Sequence, residues 1–247
     1  MRTTYKQKNI GLLVMLCFTL FSNLIKAQNM KTLENGLNPN QKSIIYIASL
    51  TAKGDLENLK MQLNLGLDNG LTINEIKEIL VHTYAYCGFP RSIRGLQTFM
   101  EVLKERKAKG IADKEGKQAS EIKNDETKYE RGKKILEELT KTPQPEALSG
   151  YSAFAPAIDT FLKEHLFADI FERDVLTFAQ RELVTISVIA AIGDAEPMLK
   201  SHLGISLNVG ITPNQLQDFV SIIKISSGEK NAKSAQEVLD EVLKSQK

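Results

Sequence analysis

An internal duplication constrains the fold of this chain more than any other feature. The same order of apolar positions, capping residues and glycines occurs around residues 59–88 and again around 199–228. Eight of these 30 positions are identical, namely Leu59, Lys60, Leu63, Leu67, Gly70, Thr72, Asn74 and Gly88. Elements of matching length in the same order indicate two similar units, so the fold must be built from a repeat.

Each unit is predicted to be helical. Apolar residues recur at intervals of three and four, as on one face of a helix, and no stretch alternates with the period of two that a strand requires. Thr72 to Glu75 is a capping box that opens a helix, and Gly88 ends it. Pro90 is well placed in the first turn of a further helix, which is predicted to run to about Lys107. We predict an all-α fold.

The two repeats are separated by a polar segment. Residues 104–127 are rich in Lys, Glu, Asp and Gly and hold few large apolar side chains, which indicates a solvated linker or an exposed helix extension. We place the first repeat at 37–107, the linker at 108–127 and the second repeat at 128–243. Further helices are predicted after the linker, one of them over Ala155–Phe171.

The N-terminus has the pattern of a secretory signal peptide. Met1–Asn9 is basic, Ile10–Ile25 is mostly apolar, and Ala27 offers a small residue before Gln28. The apolar run is shorter than the roughly 20 residues of a membrane-spanning helix. We predict cleavage of residues 1–27 and export to the periplasm, with an uncleaved anchor as the alternative. After cleavage no membrane association is expected.

Charge and cysteine content exclude other classes. Residues 28–247 carry 28 basic and 30 acidic residues, so nothing in the charge favours nucleic-acid binding. A hydrophobic content of 42% argues against disorder. The same residues hold one cysteine, Cys87, so an intramolecular disulfide or dithiol site is impossible there. Cys87 is expected to be either buried or functional.

Several short motifs occur together in both repeats. The most specific is Val81-His82-Thr83-Tyr84-Ala85-Tyr86-Cys87-Gly88-Phe89-Pro90. The others are Arg181-Glu182-Leu183-Val184-Thr185-Ile186, Ser201-His202-Leu203, Asn208-Val209-Gly210-Ile211-Thr212, Asn69-Gly70-Leu71-Thr72 and Tyr129-Glu130-Arg131-Gly132. In this order the motifs resemble the carboxymuconolactone decarboxylase family, which includes the alkylhydroperoxidase-D-like proteins. The resemblance implies two family-type helical repeats packed as a pseudo-dimer. We also expect a homo-oligomer.

The resemblance favours one chemical branch of this family. The alkylhydroperoxidase-D-like branch has a Cys-x-x-Cys pair with a His four residues after the second Cys. Before His202 the corresponding positions hold Met198 and Ala195, and before its counterpart Gln62 they hold Asn58 and Asp55. The decarboxylase-like branch is left. It implies loss of carboxylate from a small lactone acid and needs no metal or organic cofactor.

Glu182 and His202 are the first candidates for general acid–base work. Helical periodicity places both on the inward arcs of adjacent helices, where proximity and burial shift pKa values. A buried Glu–His pair that only joins two helices is the alternative. His82 lies one turn from both Glu78 and Tyr86, and is either a surface or interface histidine bonded to Glu78 or part of a pocket wall.

The two repeats have lost different parts of the site. Ile222 stands where His82 would be in the second repeat, while Ser43 and Gln62 replace Glu182 and His202 in the first. One hypothesis is a composite site in which His202, Glu182 and His82 are catalytic, with Tyr86 and Cys87 binding a small-molecule substrate. The alternatives are a non-catalytic binding or scaffold protein, and a one-cysteine peroxidase using Cys87.

Overall fold

The computed structural model describes residues 36–122 and 125–245, so the predicted signal peptide lies outside the described residues. Within those ranges the chain forms ten α-helices and one π-helix, and no strand. The α-helices are α1 (Pro39–Lys53), α2 (Leu56–Asp68), α3 (Ile73–Ala108), α4 (Lys128–Thr140), α5 (Gly150–Phe154), α6 (Pro156–Thr160), α7 (Phe178–Ile192), α8 (Glu196–Asn208), α9 (Pro213–Ser227) and α10 (Glu229–Ser245). The π-helix is Phe161–Phe171.

The duplication predicted from the sequence is present in the helices. α1 and α7 both have 15 residues, and α2 and α8 both have 13. The capping box predicted at Thr72 opens α3, and Thr212 opens α9 in the same way. α3 is kinked at Gly88 (φ 80°, ψ 161°), where the second repeat has Gly228 (φ 95°, ψ 170°) between α9 and α10. The all-α, two-repeat fold is confirmed.

The repeats share one core. α1 packs along α7 at the centre of the molecule, and both helices present fully buried aliphatic side chains such as Ile44, Ile47, Leu183 and Ile186. α3 also packs on α7, which brings the first repeat against the second at a further surface. Because apolar burial from both repeats is continuous, the units stabilise each other and the faces between them are fixed.

The segment before α7 differs from the single helix expected over Ala155–Phe171. Pro156 lacks an N–H and Ala155 has an extended φ of −136°, so α5 ends and α6 begins there. The π-helix then packs on α4. A Cβ at Gly132 would lie 1.7 Å from the Lys163 carbonyl oxygen, so only glycine allows this approach. This explains the glycine of the Tyr129–Gly132 motif.

The linker is exposed but attached. The backbone N–H groups of Ile73 and Asn74, at the start of α3, donate to the carbonyls of Lys114 and Glu115, both at 2.9 Å. Further along, the Ser120 N–H donates to Asp174 at 2.9 Å, in the loop before α7. Among the helices described, none combines the length and apolar character needed to cross a membrane.

Candidate active site

Glu182 and His202 meet where α7 packs on α8. Glu182 is fully buried, and 14% of the His202 side chain is exposed. His202 Nδ1 lies 2.9 Å from Glu182 Oε2. Because a carboxylate oxygen accepts, Nδ1 is assigned the proton and Nε2 keeps a lone pair. The other oxygen, Oε1, is buried and has no hydrogen-bond partner among the described residues. Two acceptor atoms of the pair, His202 Nε2 and Glu182 Oε1, therefore have no hydrogen bond among the described residues.

Tyr86, from the first repeat, lies beside this pair. Its ring meets the His202 ring edge-on, with centroids 6.0 Å apart, and stacks on the His82 ring at 5.6 Å. Burial and the negative charge of Glu182 raise the pKa of Tyr86 above its ordinary value. The phenol therefore keeps its proton at neutral pH. A phenol ring and an imidazole ring from different repeats are thus neighbours.

His82 is completely buried between Tyr86 and Phe171, whose ring centroid lies 5.1 Å away. Its Nε2 is 3.0 Å from Thr185 Oγ1, and its Nδ1 is 3.1 Å from Arg181 Nη1. Burial and the positive charge of Arg181 lower the pKa of His82 well below its ordinary value. His82 is therefore not at the surface and not bonded to Glu78, but is buried between the repeats with both nitrogens engaged. We call the buried side chains behind Tyr86, namely His82, Thr185 and Arg181, the wall of the site.

A buried ion cluster supports this wall. Arg181 has no exposed surface, and its Nη2 donates to Glu78 Oε1 at 2.8 Å and to the carbonyl of Arg173. Arg173 donates to the same carboxylate from Nε at 2.9 Å and from Nη2 at 3.0 Å. The cluster thus joins α3 to α7 across the repeats.

Sequence reasoning missed Glu78, Arg181 and Thr185 as members of the site. A signal was present, because Glu78, His82 and Tyr86 are spaced four apart and share one face of α3. Their partners on α7 are about 100 positions away and leave no local pattern. Cys87 is half-buried and its thiol donates to the Thr83 carbonyl at 3.1 Å. Burial raises the pKa of this thiol.

The symmetry-related positions hold different residues. Ser43, in the place of Glu182, accepts a hydrogen bond from Asn69 at 3.0 Å. Ile222, in the place of His82, is a buried core residue. Gln62 takes the place of His202. In the described part of the chain, the Glu–His–Tyr arrangement therefore occurs once, and it uses side chains from both repeats.

Phe171 also borders a cavity of about 480 Å³ beside the loop before α7. This cavity is lined by Glu126, Arg131, Lys134, Ile135, Leu176, Thr177, Phe178 and residues 171–174. Arg173 connects it to the buried ion cluster. Within residues 36–122 and 125–245, no three side chains of His, Cys, Asp or Glu gather as a metal-binding group.

Comparison with known proteins is consistent with this architecture. Residues 20–99 and 156–241 each match the sequence model of the carboxymuconolactone decarboxylase family. The chain is also 36% identical over 70 residues to 4-carboxymuconolactone decarboxylase from Acinetobacter baylyi, an alignment that covers 28% of this chain and 52% of that protein. The chain thus spans about half the length of this curated relative. Because the two family regions cover most of the chain, it belongs to the carboxymuconolactone decarboxylase family.

Proposed function

We propose that this protein is a lyase that removes carboxylate from a small lactone acid by general acid–base chemistry. The observation that carries the proposal is the 2.9 Å contact between His202 and Glu182, with the Tyr86 ring at 6.0 Å from His202. An imidazole, its carboxylate partner and a phenol ring therefore lie close together, and this supports general acid–base chemistry. The membership of the family favours the same chemistry.

In this mechanism the bond between the lactone carbon and its carboxylate breaks, and carbon dioxide leaves. The electron pair stays on the carbon and is delocalised onto a conjugated carbonyl oxygen. Tyr86 donates a hydrogen bond to that oxygen, where negative charge develops. His202, having taken a proton at Nε2 from water, returns it to the carbon, and Glu182 stabilises the intervening imidazolium. The net change replaces the carboxylate with hydrogen and consumes one proton.

The cost of removing each group can be estimated. A preorganised hydrogen bond to developing charge in a water-poor site is worth about 3 kcal/mol, or about a hundredfold in rate. Tyr86→Phe removes that donor and keeps the ring that stacks on His82. His202→Gln removes the base and keeps a polar side chain at the half-open edge. Both variants should turn over substrate at least about a hundredfold more slowly.

The first substrate to test is 4-carboxymuconolactone, because a relative is named for it. Carbon dioxide release is measured for the wild type, His202→Gln and Tyr86→Phe. The matched control is His165→Gln, since His165 is half-exposed, pairs with Asp169 and has its ring contact with Tyr84 rather than with His202, Glu182 or Tyr86. The control should keep wild-type rates. Stabilisation by lactone acids without turnover of any of them would replace the lyase with a binding protein.

The one-cysteine peroxidase is tested by Cys87→Ser. The raised pKa of the Cys87 thiol and its bond to the Thr83 carbonyl both oppose thiolate formation. We expect this variant to retain lyase turnover, because serine can still donate to the same carbonyl. A folded Cys87→Ser variant that loses all turnover, with hydroperoxide reduction by the wild type, would establish the peroxidase instead.

A further inference from the structure

A directed chain of buried hydrogen bonds ends at Tyr86. Arginine can only donate, so the 3.1 Å contact with Arg181 Nη1 requires His82 Nδ1 to accept. The hydrogen of neutral His82 is therefore on Nε2, which donates to Thr185 Oγ1 at 3.0 Å. Thr185 in turn donates to the Tyr86 hydroxyl oxygen at 3.2 Å. Each donor in this Arg181–His82–Thr185–Tyr86 chain points toward Tyr86.

The direction of the Thr185 bond has support from its neighbours on the helices. Ser187 and Ser206, which are also buried, donate to the carbonyl four residues earlier in their helices. Thr185 makes no such bond among the described residues, so its hydrogen goes to Tyr86. No described residue accepts the Tyr86 hydrogen in return. The phenol hydrogen of Tyr86 is therefore the one hydrogen of this chain that has no acceptor among the described residues.

We propose that this chain makes Tyr86 an obligatory hydrogen-bond donor, so that the site selects ligands that present a carbonyl or enolate oxygen to Tyr86 over those that present a hydroxyl or an apolar group. The choice of a lactone acid as ligand rests on the proposed function, whereas the hydrogen-bond direction rests on the geometry alone. In this scheme Arg181, His82 and Thr185 are positioning residues. They act on the ligand through Tyr86.

The surroundings of His82 hold it in one protonation state. Arg181 and Thr185 face it from α7, Glu78 and Tyr86 lie one turn away on α3, His202 is near on α8, and Phe171 covers it from the π-helix. A proton on Nδ1 would point at the Arg181 guanidinium, and both side chains are fully buried. Glu78 does not relieve this, since its carboxylate is occupied by Arg181 and Arg173.

The direction can be tested without any ligand by nitrogen-15 NMR of the full chain labelled at histidine. The sequence contains three histidines, so His165→Gln and His202→Gln assign the spectrum. We expect His82 to be neutral at pH 7 with its hydrogen on Nε2. A hydrogen on Nδ1, or a doubly protonated His82 at pH 7, would overturn the proposed direction.

Ligand selection is tested with two matched probes, 5-oxotetrahydrofuran-2-carboxylate and tetrahydrofuran-2-carboxylate, which differ by one carbonyl oxygen. Calorimetry should give tighter binding of the lactone by about fivefold to tenfold, the value of one hydrogen bond. Tyr86→Phe should abolish this preference. Thr185→Val should reduce it, since valine keeps the shape of threonine without the hydroxyl, and Thr185→Ser should restore it. His165→Gln should leave it unchanged.

The outcomes separate the two proposals. An undiminished preference in Thr185→Val would show that Thr185 does not position Tyr86. Equal binding of the probes, or binding of neither, would overturn the proposed ligand selection even with the expected His82 tautomer. The expected tautomer and preference in a protein that decarboxylates nothing would refute the lyase and leave the hydrogen-bond chain intact.

Discussion

Replacing Glu78 with glutamine should destabilise the protein strongly, although the two side chains have the same shape. Glu78 is 3% exposed and receives hydrogen bonds from both Arg181 and Arg173. Arg173 can turn to solvent, because 41% of its side chain is already exposed, whereas Arg181 has no exposed surface. Breaking a buried ion pair from one side typically costs 3–5 kcal/mol, roughly 6 to 20 °C in melting temperature for a protein of this size.

The assay is urea unfolding followed by circular dichroism, with Glu105→Gln as the matched control. Glu105 pairs with Lys60 at 2.6 Å, but both side chains are well exposed, so this variant should unfold at the wild-type midpoint. The double variant Glu78→Leu with Arg181→Met should recover most of the lost stability, since it leaves no buried charge unpaired. A Glu78→Gln variant whose midpoint shifts no further than that of Glu105→Gln would refute the proposed cost of breaking this buried ion pair.

Two other predictions concern packing and the linker. Gly95→Ala should lower the free energy of unfolding by about 1 kcal/mol, because the new Cβ would lie 2.9 Å from Cδ2 of fully buried Leu80. Gly204→Ala should instead raise it by about 0.5–1 kcal/mol in the same urea assay, because a Cβ there meets no neighbouring side chain within 4 Å and alanine favours the helix. Hydrogen bonds from Ser120 lower the pKa of Asp174 from 3.8 to about 2, so the contact between them is complete above pH 3.8 and is lost as the pH falls through about 2. Hydrogen exchange at the Ser120 amide should lose protection over that range, and in Asp174→Asn at neutral pH; protection that persists in both would contradict the assignment.

The helices were predictable because their signals are local. The Thr72 to Glu75 capping box fixes the start of α3 with residues three apart, and Gly88 needs only its own lack of a Cβ to produce the kink. The second repeat shows the same pattern, with Thr212 as the capping residue and Gly228 at the end of the helix. Such signals depend on a few neighbouring residues, so sequence alone is sufficient to find them.

The wall of the site was not predictable in the same way. Arg181 has the polarity of a surface residue, and its burial depends on Glu78, which lies 103 positions earlier in the chain. His82 was ambiguous for the same reason, since its partners Arg181 and Thr185 belong to the other repeat. The Glu182–His202 pair could be proposed because both residues lie on apolar faces of neighbouring helices. Whether it catalyses a reaction stays a prediction.

The cluster formed by Glu182, His202 and His82 is divided between the repeats, and this division has an evolutionary consequence. A dimer of two first repeats would have Ser43 and Gln62 in place of the Glu–His pair, and a dimer of two second repeats would have Ile222 in place of His82. Neither dimer could assemble the cluster that the fused chain contains. Once each half had lost a different part, neither half could form the cluster by associating with itself. Both halves must then be produced together, and a fused chain ensures this in a fixed one-to-one ratio.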